Sequence, residues 1–340
     1  MFRRFRPVSA VLAAACCTVA LVSPVASAAA AASDVAVGVA IEPFGSVDAY
    51  WTDARMQQAT ALVDESSPTT QPTTPPSEPQ VSESADGDAG PPADTLSTMS
   101  ADALTYFRLS KVWAGHGKLP ARTIGKLFLT KPEGDRYCTA TVISSSNHNT
   151  IWTAGHCVSN GHKGWYKNFK FAPDFNNGSR PYGTWTAKAW AVPNGYHDGS
   201  DNYYDMAALA LSSNSRGKVG DVVGWQGYKF GATPATASYG DVRAFGYAEN
   251  THPSRSGISP NGGDLRFCVG SSSVPGYRVI SCDMGSGASG GPWIHDMPSS
   301  RGWGYLIGNQ SFHIGNGGQD IYSPPLGQAA INTRAAVHTK

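Results

Sequence analysis

The chain has 340 residues, of which 41% are hydrophobic and 15% charged, with 38 Gly and 23 Pro. A charge content well under the usual roughly 25% argues against a coiled coil or a charge-driven nucleic-acid binder. The net charge of +1 conceals three unlike parts: +3 over residues 1–28, −10 over 29–110 and +8 over 111–340.

The first part reads as an export signal. Arg3, Arg4 and Arg6 precede an apolar run over 8–25, and Ala26-Ser27-Ala28 forms a small-residue cleavage site, so 1–28 is expected to be a signal peptide cut after Ala28. A membrane anchor is the alternative, but Pro24 interrupts the run and small residues follow it. The lone Arg3-Arg4 pair is weak support for a twin-arginine signal. Cys16 and Cys17 leave with this segment. No later stretch is apolar enough to span a bilayer, so the expectation is a soluble, secreted, extracellular chain with no membrane partner once the signal is removed.

Residues 29–111 read as an acidic leader or propeptide. Tyr50, Trp51, Met56 and Leu62 give the stretch 35–63 the apolar spacing of one helix. Residues 66–94 hold seven Pro and five acidic residues with no Lys or Arg, a composition that predicts a disordered, extended tether. An acidic leader ahead of a basic domain can dock on it as an intramolecular inhibitor or folding aid, or can serve as a solubilising spacer.

The third part, 112–340, shows short alternating runs punctuated by Gly, Pro, Asn and Ser. Strands are predicted over 137–143, 150–154, 167–171, 206–211, 238–245, 277–282 and 304–307, and a short terminal helix over 331–338. Many short strands with frequent turn signals indicate an all-β barrel or sandwich. Four cysteines remain after export, Cys138, Cys157, Cys268 and Cys282, and an even number in an oxidising compartment predicts two disulfides. Of the three pairings, the local one, 138–157 with 268–282, is expected, each bridge stabilising by roughly 3 kcal/mol. The chain lacks both C-x-x-C and a His pair at i, i+4, so no metal and no cofactor is expected.

Three sites carry chemistry. Thr153-Ala154-Gly155-His156-Cys157 holds a histidine at a strand end. Tyr204-Asp205-Met206-Ala207-Ala208-Leu209 opens an apolar strand with a carboxylate, which burial obliges to find donors. Gly285-Ser286-Gly287-Ala288-Ser289-Gly290-Gly291-Pro292 surrounds one serine with glycines whose backbone N–H groups can converge. Together they supply what acyl transfer needs: Ser289 as nucleophile, His156 as base, Asp205 to orient the imidazole, and the N–H groups of Gly287 and Ser289 as an oxyanion hole. An imidazole, with its ordinary pKa near 6.5, predicts activity rising with pH through about 6–7. G-A-S-G-G also fits the elbow of α/β-hydrolases, but those run Ser, Asp, His, and only His295, His313 and His338 follow Ser289. The tryptophans from Trp152 to Trp303 are read as packing, and His197-Asp198 and His295-Asp296 as surface pairs.

In this order the three motifs resemble the signatures of the trypsin-like, chymotrypsin-fold serine peptidases over roughly 112–335. Thr123-Ile124-Gly125-Lys126-Leu127 is most similar to the glutamyl-endopeptidase-like branch. The resemblance implies two antiparallel six-stranded barrels with the triad in the cleft, and endopeptidase activity on protein or peptide substrates, without a catalytic metal. Two departures stand out. Ala288 occupies the position where the animal digestive enzymes place an aspartate that pairs with a newly freed N-terminus. Lys111-Val112-Trp113-Ala114-Gly115 is nonetheless a plausible processing point. Gln310 stands where the glutamate-cleaving branch carries a histidine, so the resemblance leaves basic, acidic and broad specificity all open. Asp283 falls where trypsin-like enzymes hold the acid that selects Lys or Arg, and with Gln310 and Ser311 it makes up the expected pocket. The expectation is a monomeric secreted serine endopeptidase made as a precursor. The rival reading is a peptidase-like binding module or adhesin without catalysis.

Overall fold

The computed structural model describes residues 1, 34–41, 44–63, 84–90, 106–251, 260–273, 276–298, 300–314 and 320–340. The expected export signal lies outside them except for Met1. The chain divides into two units, Met1–Ser33 and Asp34–Lys340, and the second carries every element below.

Four strands fall within residues 34–112: β1 (Val35–Val39), β2 (Thr60–Ala61), β3 (Ser84–Gly87) and β4 (Phe107–Val112), with helices α1 (Phe44–Tyr50) and α2 (Asp53–Gln58) between the first two. β5 (Ile124–Lys131), β6 (Gly134–Val142), β7 (Thr150–Thr153), β8 (Lys167–Pro173), β9 (Trp185–Pro193) and β10 (Ala207–Leu211) follow. They hydrogen-bond in the order β9-β10-β7-β6-β5-β8, and β8 returns to β9, closing a six-stranded antiparallel barrel. After β11 (Gly227–Gly231), a second group comprises β12 (Tyr239–Gly246), β13 (Arg266–Ser272), β14 (Arg278–Ser281), β15 (Pro292–His295), β16 (Tyr305–Asn309), β17 (Phe312–His313) and β18 (Asp320–Ser323). β15, β12 and β13 pair in sequence and β14 pairs with β18. A Ser273–Val279 bridge joins β13 to β14, and the Ser311 N–H donated to Tyr322 O (2.8 Å) joins β18 to the end of β16, which pairs with β15. The second six-stranded ring is thus completed by looser links than the first. A terminal helix spans Gln328–Ala335, three residues ahead of its predicted start.

Alternation along β5 explains how the barrels meet. Leu127 and Leu129 point into the first barrel with Cys138, Ile151 and Leu209. Ile124 and Phe128, on the opposite face, pack with Tyr137, Phe245, Tyr247 and Ile294. Both faces of this strand are therefore apolar, and the second face forms the seam between the barrels.

The leader differs from its predicted single helix. Val35-Ala36-Val37-Gly38-Val39, rich in β-branched residues, pairs antiparallel with the edge of β9. Thr52 then starts α2 afresh by accepting the Arg55 N–H. Trp51, Met56, Ala59 and Ala61 are buried on the seam. The Trp51 indole N–H donates to Asn168 O at 2.5 Å. The predicted tether is described only over 84–90, where 84–87 pairs antiparallel with the edge of β11. Strand pairing with a distant edge satisfies backbone groups that composition alone leaves to solvent.

Candidate active site

β7 ends at Thr153, and His156 follows in a 3₁₀ turn, Gly155–Cys157. Cys157 is bonded to Cys138 on β6, and Cys268 to Cys282, which are the local pairings expected. The turn carrying the imidazole is thereby fastened to the adjacent strand. His156 is 3% exposed, and Asp205, which ends the 3₁₀ turn before β10, is fully buried. Asp205 Oδ2 lies 2.8 Å from His156 Nδ1, and its Oδ1 accepts the His156 backbone N–H at 2.7 Å. The Ser311 hydroxyl donates a third hydrogen bond to Oδ2. Asn309 Nδ2 donates to the Asp205 carbonyl at 3.1 Å, and its Oδ1 accepts the Trp152 indole N–H at 3.0 Å. Three donors on one buried carboxylate offset the cost of removing its charge from water. Burial, with the nearby Asp201 and Asp205 carboxylates, pushes the Tyr277 hydroxyl upward.

Ser289 lies in the loop before β15, is 5% exposed, and accepts the Thr139 N–H through its carbonyl at 2.8 Å. Thr139 neighbours Cys138, so the serine's backbone is fixed to the strand that also holds the histidine turn. Gly290, at φ +77°, presses on the other side: a Cβ there would stand 2.0 Å from Thr153 Oγ1 and 2.8 Å from Ala154 N. Gly287, at φ +86°, has no space for a side chain either, because a Cβ would meet Tyr247 O at 2.6 Å and the Tyr137 ring at 2.7 Å. The N–H groups of Ala288, Gly290 and Gly291 are spent on Gly285 O, Gln310 O and Ala288 O. Those of Gly287 and Ser289 have no backbone acceptor among the described residues.

The three residues assigned to a substrate pocket fall in different settings. Ser311 is tied to Asp205, a role its position in Gly308-Asn309-Gln310-Ser311 did not reveal. Gln310 is buried, donates to Met284 O at 3.0 Å and lies 3.4 Å from His313 Nε2. Asp283 is buried and accepts the Ser110 N–H at 2.7 Å, so one of its oxygens is engaged by β4. His197 is not on the surface as predicted. It is buried, stacked on Trp165 at 3.9 Å and bonded through Nδ1 to Ser159 Oγ at 2.7 Å. Burial holds its pKa down, Lys163 adding to the effect and Asp198 opposing it.

The leader reaches this region. β2 pairs in parallel with β6, and the Leu62 N–H donates to Tyr137 O at 2.9 Å. Leu62 and Val63 then line a cavity of about 380 Å³ together with His156, Lys131, Trp165 and Tyr166. Asp48 and Asp53 of the leader pair with Lys170 (2.5 Å) and Arg180 (2.6 Å), while Arg55 pairs with Asp135 (2.9 Å).

Lys126 lies on the seam face of β5, its Nζ over the Tyr137 ring. Burial pulls its ammonium down to about 7 against the opposing pull of Glu249. An unfolded lysine holds its proton up to about 10.5. The folded chain therefore bears the full cost of a buried charge below about 7, and that cost fades as pH rises towards 10.5. Lys126→Met is expected to raise Tm most at acidic and neutral pH and least at alkaline pH. An equal gain across a thermal-unfolding pH series would show that the ammonium is not the source.

A two-barrel fold carrying a buried His–Asp pair against a glycine-rich serine loop defines the class of chymotrypsin-fold proteins. No family model matches the chain. Among solved structures, the protease Anisep from Arthrobacter nicotinovorans is 30% identical, with a TM-score of 0.58 over 66% of this chain and 99% of that one. The thermostable serine protease AL20 from an extremophilic microorganism is 26% identical, with a TM-score of 0.57 over 65% and 99%. Among curated proteins, an extracellular metalloprotease of Bacillus subtilis is 39% identical over 83 residues, and a glutamyl endopeptidase of Bacillus licheniformis 33% identical over 82. Each of these two matches spans about a quarter of this chain and of the relative. The chain belongs to the trypsin-like, chymotrypsin-fold serine proteases.

Proposed function

We propose that the chain is the precursor of a secreted serine endopeptidase in which Ser289 attacks the substrate carbonyl, His156 takes its proton and Asp205 orients the imidazole. The observation that carries this reading is the buried Asp205 carboxylate, which holds both Nδ1 and the main-chain N–H of His156. With Nδ1–H directed at Asp205, Nε2 is the nitrogen left to act as base. The Gly287 and Ser289 N–H groups receive the oxyanion of the tetrahedral intermediate. His156 then returns the proton to the leaving amine, and water hydrolyses the acyl-enzyme by the same route in reverse.

Among the described residues the groups of three close potential ligands are Cys138–His156–Cys157 and Cys268–Cys282–Asp283. In both, the cysteines are spent in disulfides. Export rests on the composition of 1–28 and on relatives of which one is named extracellular.

The test is covalent labelling of the processed chain with a fluorophosphonate. Label is expected on Ser289 and is expected to vanish in His156→Ala. A folded chain that takes no label would favour the non-catalytic binding module.

The leader is proposed to be an intramolecular inhibitor. Leu62 and Val63 line one wall of the cavity beside His156, and acidic Asp48 and Asp53 meet basic partners on the domain. Added 29–110 segment is expected to inhibit the processed enzyme, less so in high salt as those pairs are screened. The buried Trp51 and Met56 predict that some inhibition survives. No inhibition at low salt would reduce the leader to a spacer.

A further inference from the structure

The seam between the barrels holds a buried cation that the proposed reaction does not use. Lys126 is 5% exposed, and its Nζ stands 3.6 Å from the Tyr137 ring centroid, 4.5 Å from that of Phe175 and 6.0 Å from that of Tyr247. Among the described residues Nζ has no ion pair. The Tyr137 hydroxyl beneath it is likewise buried with no hydrogen-bond partner among them. An ammonium and a phenol thus share one buried pocket, each short of an acceptor or donor, an arrangement that costs free energy until it is satisfied.

The carboxylate that acts electrostatically on both Lys126 and Tyr137 is Glu249. Its Oε2 is engaged elsewhere, accepting the N–H of Ala61 on leader strand β2 at 2.7 Å. The other acids near this pocket, Asp174 and Asp264, act on Tyr247 and are already held. Asp174 pairs with His116 and the Gly117 N–H, and Asp264 accepts Asn177 Nδ2. Among the described residues, the leader amide is the one hydrogen-bond partner of the Glu249 side chain.

Glu249 is also wired to the serine loop. Its backbone N–H donates to Ser286 O at 2.8 Å. Its neighbour Asn250 accepts the Gly285 N–H through its carbonyl (3.0 Å) and the Ser286 N–H through its side chain (2.9 Å). The Tyr137 ring that underlies Lys126 packs directly against Gly287. A carboxylate exchanging a neutral amide for an ammonium and a phenol gains charge-assisted hydrogen bonds and draws the 247–250 segment, with the loop bonded to it, onto the seam.

We propose that Lys126 and Glu249 are a positioning pair for the Gly285–Gly287 loop, kept apart in the precursor by the Ala61 amide and joined when strand β2 withdraws. The pair takes over the loop-fixing role that Ala288, lacking a charge, cannot perform. The proposal rests on the reading of that loop as the oxyanion hole, and its test has one arm that does not depend on activity.

Ala61→Pro in the full chain removes the donor to Glu249 and leaves the Leu62 N–H bond to Tyr137 in place. The Lys126 side chain, followed by NMR with ¹³Cε/¹⁵Nζ-lysine and assigned by its loss in Lys126→Met, is expected to titrate at least about one unit higher in Ala61→Pro than in the parent. The rise is expected to vanish in Ala61→Pro/Glu249→Gln. If proline detaches the whole leader strand, Glu249 is released all the same and the expectation stands. An unchanged titration in Ala61→Pro, or a rise that survives Glu249→Gln, overturns the proposal. In the processed chain, Glu249→Gln and Lys126→Met are each expected to slow fluorophosphonate labelling about tenfold without adding in the double variant, with KM little changed and partial rescue by Glu249→Asp. Additive losses would also overturn it. Absence of labelling in the parent would instead condemn the peptidase reading and leave the NMR result to stand alone.

Discussion

Replacing Ser289 by alanine is expected to lower kcat for peptide hydrolysis roughly 10⁶-fold while leaving KM and the folded state near those of the parent. The size follows from the loss of the atom that forms the acyl bond: without it, catalysis falls back on whatever the oxyanion donors and substrate binding supply to a water molecule. The fold should survive because the structure uses the backbone of Ser289, whose carbonyl accepts the Thr139 N–H, and keeps its Cβ. His156→Ala should cost a similar factor, and the double variant little more, because nucleophile and base act as one unit. Steady-state hydrolysis of a chromogenic peptide by the processed chains, with far-UV circular dichroism to verify folding, decides the matter. A loss of less than about tenfold in Ser289→Ala would place the nucleophile elsewhere.

The parts of this site that could be read from sequence are those encoded locally. Gly155 and Cys157 around His156, the apolar run after Asp205 and the glycines around Ser289 each fix a backbone shape within a few residues. The strands over 134–142, 150–153 and 207–211 declare themselves through equally short-range patterns, short apolar runs bounded by turn residues. What escaped depends on partners far along the chain. Strands β2 and β3 are too short and too polar to announce themselves, and exist because β6 and β11 offer them an edge. Ser311 reads as a pocket residue until the fold brings it to Asp205, 106 positions away. His197 beside Asp198 has the look of a solvated pair, yet α3 (Asn194–Gly199) turns it under Trp165. Lys126 is the sharpest case. Its burial depends on the second barrel, which covers the outer face of β5.

Asp205→Asn is expected to lower kcat about 10⁴-fold with little effect on KM, and the geometry says why so conservative a change should be so damaging. The carboxylate presents two acceptor oxygens to three donors: the His156 N–H, His156 Nδ1 and the Ser311 hydroxyl. An asparagine has one carbonyl oxygen and one amide nitrogen. If the oxygen stays on the His156 backbone, the amide faces Nδ1 and Ser311 as a donor. Nδ1 must then accept, the imidazole proton moves to Nε2, and the nitrogen that should take the Ser289 proton already carries one. If the amide flips, Nδ1–H keeps its acceptor, but the amide N–H₂ is driven against the His156 N–H and two donors collide in a buried site. The first arrangement is cheaper, so the expected defect is a wrong tautomer in an otherwise intact fold. ¹⁵N chemical shifts of the His156 ring should report protonation at Nε2 in the variant and at Nδ1 in the parent. Ser311→Ala, which removes one donor and leaves the tautomer correct, should lose far less activity than Asp205→Asn. Equal losses in the two variants would mean that Asp205 acts by packing and not by directing the imidazole proton.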